Sequence, residues 1–98
     1  MAVFVKTVKS GKEVIVAACD SELLGKTLMR GNNKFHINPD FYGDRLLSIE
    51  EAAVEVCSGT NVNLVGKRIV ARAIELGLVH PEGIIYISGI PHALIIRI

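Results

Sequence analysis

Residues 61–77 read NVNLVGKRIVARAIELG, and the architecture depends on whether this stretch is one helix. Val62, Val65, Ile69, Ala73 and Leu76 recur at intervals of three and four, the spacing that gathers side chains on one helix face. Val70 and Ile74 widen that stripe, while Lys67, Arg68 and Arg72 fall on its outer side. Gly77 follows, the residue type that most readily ends a helix. The spacing predicts a helix from Asn61 or Asn63 to Leu76, with Gly66 allowing another part of the chain to pack closely against it.

Upstream, SIEEAAVEVCSG at 48–59 predicts a second helix. Ser48 and Glu51 form the reciprocal pair of a capping box, and Gly59 marks the end. Ile49, Ala52, Ala53, Val56 and Cys57 make its apolar stripe, with Glu50, Glu51 and Glu55 outside it. The remainder reads as strands. VFVKTVK at 3–9 alternates, SGK at 10–12 turns, and EVIVAAC at 13–19 is apolar on both faces, so the second strand belongs inside a sheet. Asp20 opens the segment DSELLG and is placed to cap a short helical turn that Gly25 ends. KTLMRGNNKFHIN at 26–38 predicts a second, irregular hairpin turning at Gly31-Asn32-Asn33, with Phe35 and Ile37 inward and His36 outward. PDFYGD at 39–44 reads as a loop. At the other end, GIIYIS at 83–88 and HALIIRI at 92–98 form a hairpin joined by GIP, with Gly89 at the reversal and Pro91 at the strand entry.

This order predicts an α+β fold occupying residues 1–98 as one domain. Its sheet is mostly antiparallel, built from the N-terminal and C-terminal hairpins, and two helices pack on one face. A chain of 98 residues that is 50% apolar can build one core and bury roughly 60–70% of its unfolded surface. Mean hydropathy is positive, yet no apolar run approaches the ~20 residues of a membrane span. The surplus apolar character therefore points to a subunit interface, hence a homo-oligomer, and not to a membrane. The N-terminus lacks the basic start and apolar core of a signal peptide, which predicts a cytoplasmic protein. Cys19 and Cys57 are expected as free thiols, with a disulfide between them as the alternative.

The net charge of +1 conceals a segregation. Residues 1–34 hold six basic and three acidic side chains, residues 35–60 one and five, and residues 61–98 four and two. Such a bipolar surface steers towards charged partners even when the sum is near zero.

Four motifs in order carry a family resemblance: CDSELLGK at 19–26, FYGD at 41–44, NVNLVGKRIV at 61–70 and GIPHALIIRI at 89–98. Together they resemble a family of small archaeal proteins, domain-of-unknown-function family 424. The resemblance spans nearly the whole chain and implies an archaeal, cytoplasmic protein; it brings no activity and no cofactor. The family pattern favours a second glycine after FYG, where this chain has Asp44, and often glutamine where it has Leu94.

His92, just after Gly-x-Pro at a hairpin mouth, is the foremost candidate for chemistry, since its ring can donate, accept or titrate near neutrality. Tyr42, Asp20, Asp44, Asn63 and Lys26 are the candidates to join it in a functional cluster; the plainer alternative is a histidine that fastens the turn. Lys67, Arg68, Arg72 and Arg30 are candidate phosphate contacts, the first two in the early turns of the helix predicted over 61–76. The spacing of His36, His80 and His92 matches no metal-ligand pattern, and no nucleotide-binding glycine motif is present, so neither metal nor cofactor is expected.

Three readings of function follow. The first is a non-catalytic binding module contacting structured RNA or a component of the translation machinery. The second is an oligomeric or protein-interaction subunit. The third is a small enzyme or metabolite binder built on His92, which requires its candidate partners to share a cleft.

Overall fold

The computed structural model describes residues 2–97. The first hairpin pairs β1 (Ala2–Ser10) with β2 (Glu13–Asp20), and a 3-10 turn at Ser21–Leu23 follows. A separate two-stranded hairpin, β3 (Thr27–Arg30) and β4 (Asn33–His36), leads into the single turn α1 (Pro39–Tyr42) and the short strand β5 (Arg45–Ser48). Helix α2 (Ile49–Ser58), strand β6 (Asn61–Val65) and helix α3 (Lys67–Glu75) come next. A 3-10 turn at Pro81–Gly83 and the hairpin β7 (Ile85–Ile87) and β8 (Ile90–Ile96) complete the chain; Ile98, the end of the predicted last strand, lies outside the described residues.

The main sheet has six strands in the order β5-β1-β2-β6-β8-β7. Only β2 and β6 run parallel, and the other four pairings are antiparallel. The terminal hairpins thus lie in one sheet, and α2 and α3 pack together on one of its faces. The fold is α+β, with a mostly antiparallel sheet.

The predicted single helix over 61–76 is corrected here. Its first part, NVNLV, is strand β6, inserted between β2 and β8 so that the two terminal hairpins become one sheet. Asn61 to Leu64 alternate polar and apolar while Val62 and Val65 keep the helical spacing, so five residues satisfy both periods, and pairing on both edges decides for the strand. Val62 and Leu64 are fully buried against the helices, while Asn61 and Asn63 face the opposite side. Gly66 breaks the chain direction at φ 124°, ψ 150°, a region that residues with a side chain avoid, and α3 begins at Lys67. Ile69, Val70 and Ala73 are its buried face.

Helix α2 starts with the expected capping box: the Ser48 hydroxyl accepts from the Glu51 amide, and Glu51 accepts from the Ser48 amide. Ala52, Ala53 and Val56 are buried, but Cys57 is exposed and not part of the stripe. Strand β2 is interior as its composition predicts, with Val16 and Ala18 towards the helices and Ala17 and Cys19 on the other face.

That other face is covered in part by the β3–β4 hairpin, which lies over it as a flap, and by α1. Ile37 and Tyr42 are buried beneath them, with Phe35 and Leu28 packed alongside. The flap is tied at its root, where the Gly25 amide donates to Ile37 and the Ile37 amide to Lys26. Near its far end, the Ser88 hydroxyl accepts from the Met29 amide at 3.1 Å and donates to the Met29 carbonyl at 2.7 Å.

Segment 39–44, predicted as loop, contains the turn α1, capped by the Asn38 side chain on the Asp40 amide. The C-terminal reversal includes Gly89 as expected, with Ser88 beside it and both at positive φ; the strand entry is one residue earlier than expected, at Ile90, so that Pro91 is already within β8 opposite Tyr86. Pro91 stands one step past the last β6–β8 pair, where a ladder donor is not required, and its carbonyl accepts from the Gly66 amide.

Candidate functional site

Where the flap stops short of the β6-β8-β7 end of the sheet, a cleft of about 270 Å³ opens. Alternation along β6 and β8 places Asn63, His92 and Leu94 on this face, and Ile85 and Ile87 of β7 extend the floor. Arg30 and Phe35 reach the cleft from the flap. No carboxylate is among its lining residues.

Two of the six candidate cluster residues, Asn63 and His92, line the cleft, and a third, Tyr42, is bonded to Asn63. The Tyr42 hydroxyl donates to Asn63 Oδ1 at 2.6 Å, and burial pushes the Tyr42 pKa up to about 12, so the proton stays on the phenol. With Oδ1 engaged, the Asn63 amide group is oriented and its Nδ2 donors are left for the cleft. His92 is 9% exposed, and its ring meets Phe35 edge-on with centroids 4.6 Å apart. Its buried Nε2 has no hydrogen-bond partner among the described residues. Burial pushes the His92 pKa down, which favours the neutral ring.

The other three candidates lie elsewhere. Asp20 is buried at 1% exposure, and its carboxylate does not cap the turn that follows it. It caps α3 instead, accepting from the Arg68 amide at 2.9 Å and the Ile69 amide at 3.1 Å. This works because β2 ends beside Gly66, where hydrogen in place of a side chain leaves room for the carboxylate. Asp44 is exposed beside Arg45 at 4.0 Å, and Lys26 is exposed at the flap root. Neither lines the cleft. An acid–base pair with His92 is therefore not assembled from these residues.

The phosphate candidates separate in the same way. The Asp20 carboxylate occupies the amides at the start of α3, which closes that helix end to an external anion. Arg68 forms a two-pronged pair with Glu22 at 2.9 and 3.0 Å and also donates to the Ala2 carbonyl. Arg72 lies 3.7 Å from Glu75. Lys67 is exposed, and Arg30 alone of the four lines the cleft.

His36 is exposed on the flap, and His80 accepts the Glu82 amide at Nδ1. Among the described residues no group of three or more His, Cys, Asp or Glu side chains is placed to hold a metal ion. Cys19 and Cys57 are both free thiols; burial first, then Asp20 and Glu22, pushes Cys19 up to about 12. No helix among the described residues is long and apolar enough to cross a membrane.

The cleft contributions of Phe35, Ile85 and Ile87 escaped the sequence reading. The polar–apolar alternation of Asn61 to Leu64 was the available signal: read as a strand, it puts Asn63 on the face that the flap partly covers.

A family model described as "Protein of unknown function (DUF424)" matches residues 8–98. The chain belongs to this family. The DUF424 match begins at Val8, near the end of β1, and takes in β2, the flap, helices α2 and α3, the C-terminal hairpin and the cleft. Among solved structures, the chain is similar to an uncharacterized conserved protein from Methanopyrus kandleri, with a TM-score of 0.82 at 24% identity. That alignment covers 100% of this chain and 95% of the other, and it shows the same α+β fold. Comparison with curated proteins returns no match.

Proposed function

We propose that this DUF424 protein is a non-catalytic module that binds structured RNA, in the setting of the translation machinery. The observation that carries the reading is the flap. Segment 26–38 contains Lys26, Arg30 and Lys34 and no acidic residue, and all three basic side chains are exposed. None of them is in an ion pair among the described residues, in contrast to Arg45, Arg68 and Arg72. Cations outside any ion pair are available to phosphates, and their attraction is long-ranged enough to guide encounter. Lys9 and Lys12 at the tip of the first hairpin add two further exposed cations.

The test is binding to total tRNA and to ribosomes across a salt series. Three phosphate contacts from the flap give a loss of about 20- to 40-fold in affinity between about 50 and 200 mM salt. Replacing Lys26, Arg30 and Lys34 together by alanine is expected to flatten the log–log salt slope by about 2 to 3. Negligible binding at low salt overturns the proposal.

A second reading has its own observation. Ile85, Tyr86, Leu94 and Ile96 are 50–64% exposed at the β7–β8 end of the sheet, and β7 is a three-residue edge strand. Apolar side chains gathered at a sheet edge are a surface for a second copy of the chain or another protein. On this reading sedimentation at micromolar concentration shows a dimer that Leu94→Lys dissociates, and a monodisperse monomer overturns it.

A further inference from the structure

We infer that the cleft beside the flap receives one unpaired nucleobase of the bound RNA, selected for carbonyl groups at its edge. The inference rests on the RNA reading above and adds where sequence preference would come from.

Three features of the cleft point this way. Its polar lining offers donors: the Arg30 guanidinium, which carries donors alone, and the Asn63 Nδ2 group, whose carbonyl partner is held by the Tyr42 hydroxyl at 2.6 Å. No carboxylate stands opposite them. A ligand that presents acceptors is matched, and one that presents only amino groups meets unpaired donors.

The second feature is shape. A cleft of about 270 Å³ lies just below the size range of sites for drug-sized ligands, roughly 300–1,000 Å³, and suits a single ring system. Its floor of Ile85, Ile87 and Leu94 and the ring of Phe35 supply the apolar and aromatic surfaces on which bases rest. The third is His92, nine-tenths buried against Phe35 with a ring nitrogen that has no partner among the described residues. That nitrogen is itself covered, so the part of His92 that faces the cleft is ring surface, which with Phe35 widens the wall against which a base rests.

Arg30 couples this pocket to the charged surface, because it belongs both to the cleft and to the basic flap. The backbone of a bound strand would run along Lys26 and Lys34 while one base turns inward past Arg30. Of the common bases, uracil presents two carbonyl oxygens and no amino group, guanine and cytosine one carbonyl each beside an amino group, and adenine only ring nitrogens beside an amino group that would face the donors. The cleft therefore favours uracil over adenine.

The experiment compares three RNA hexamers: oligouridylate, oligoadenylate, and an abasic ribose-phosphate oligomer of equal length. Each is titrated into the full chain and into an Asn63→Asp variant. Asparagine to aspartate keeps an acceptor for Tyr42 and removes the Nδ2 donors, and circular dichroism and thermal unfolding establish that the variant is folded. We expect oligouridylate to bind at least tenfold more tightly than the abasic oligomer and than oligoadenylate. In the Asn63→Asp protein that advantage falls to within about twofold, the abasic affinity changing much less. Should the variant fail to fold, Arg30→Leu, which is exposed on the flap, takes its place with the same expected loss of preference.

Equal binding of all three hexamers overturns the base pocket and leaves the electrostatic RNA reading standing. Absence of binding to any hexamer and to tRNA at low salt overturns both. A preference for oligoadenylate, or a preference for oligouridylate that survives both substitutions, overturns the assignment of the donors.

Discussion

Alanine in place of Gly66 is expected to destabilise the folded chain by about 3–5 kcal/mol, a sum of backbone strain and steric overlap. At φ 124° and ψ 150° the backbone occupies a region that side chains exclude. A β-carbon built there would stand 2.3 Å from the Asp20 γ-carbon and 2.6 Å from one of its oxygens. Asp20 cannot move away without releasing the two amides it holds at the start of α3. The strain has no cheap outlet, and the loss is a large part of the roughly 5–15 kcal/mol that stabilises a small domain. Urea unfolding followed by circular dichroism measures it through the midpoint, with an unchanged slope. A cost below about 1 kcal/mol would show that the sharp junction between β6 and α3 relaxes freely.

Asp20→Ala is the second large effect, with an expected loss of about 2–4 kcal/mol from a missing cap and two donors left without acceptors. The carboxylate is 1% exposed, and the Ile69 amide lies in the core between α3 and the sheet. Water therefore replaces the lost oxygens poorly. Asp20→Asn is expected to recover at most half of the loss, because its amide offers one oxygen and turns donors towards the second N–H. The two sites are coupled. Truncating Asp20 removes the atoms that an alanine at 66 would strike, so the double variant should cost about 1 kcal/mol or more less than the sum of the singles. Strict additivity would mean that the Gly66 penalty is backbone strain alone, with Asp20 already displaced.

Asp20 also illustrates why candidate site residues were harder to place than elements. An aspartate at the end of a strand before a short turn has a local role available, and the sequence offers no sign of another. Its actual partners are 48 and 49 positions away, and using them both fills the helix N-terminus and withdraws the carboxylate from His92. The same arrangement withdraws the α3 amides from any phosphate. Arg68 was legible as a cation, but its engagement by Glu22, across the same junction, was not. Asn63, Tyr42 and His92 meet because β6 brings residue 63 beside residue 94 in register and α1 lays Tyr42 over the same face.

Patterns confined to a few adjacent residues determined much of the fold. Alternation and turn residues marked both terminal hairpins, an apolar run on both faces marked β2 as interior, and Ser48 with Glu51 marked the start of α2. These are short-range effects of side-chain direction and backbone conformation, so a linear string carries them. Only the tertiary structure decided that NVNLV is a strand, because five residues satisfy either period until β2 and β8 claim their backbone groups. It alone decided that Asp20 serves a helix and that Arg30, Asn63 and His92 share a cleft. Each of these rests on pairing and burial between residues far apart in the chain, and such energies are set by which surfaces meet once the sheet has closed.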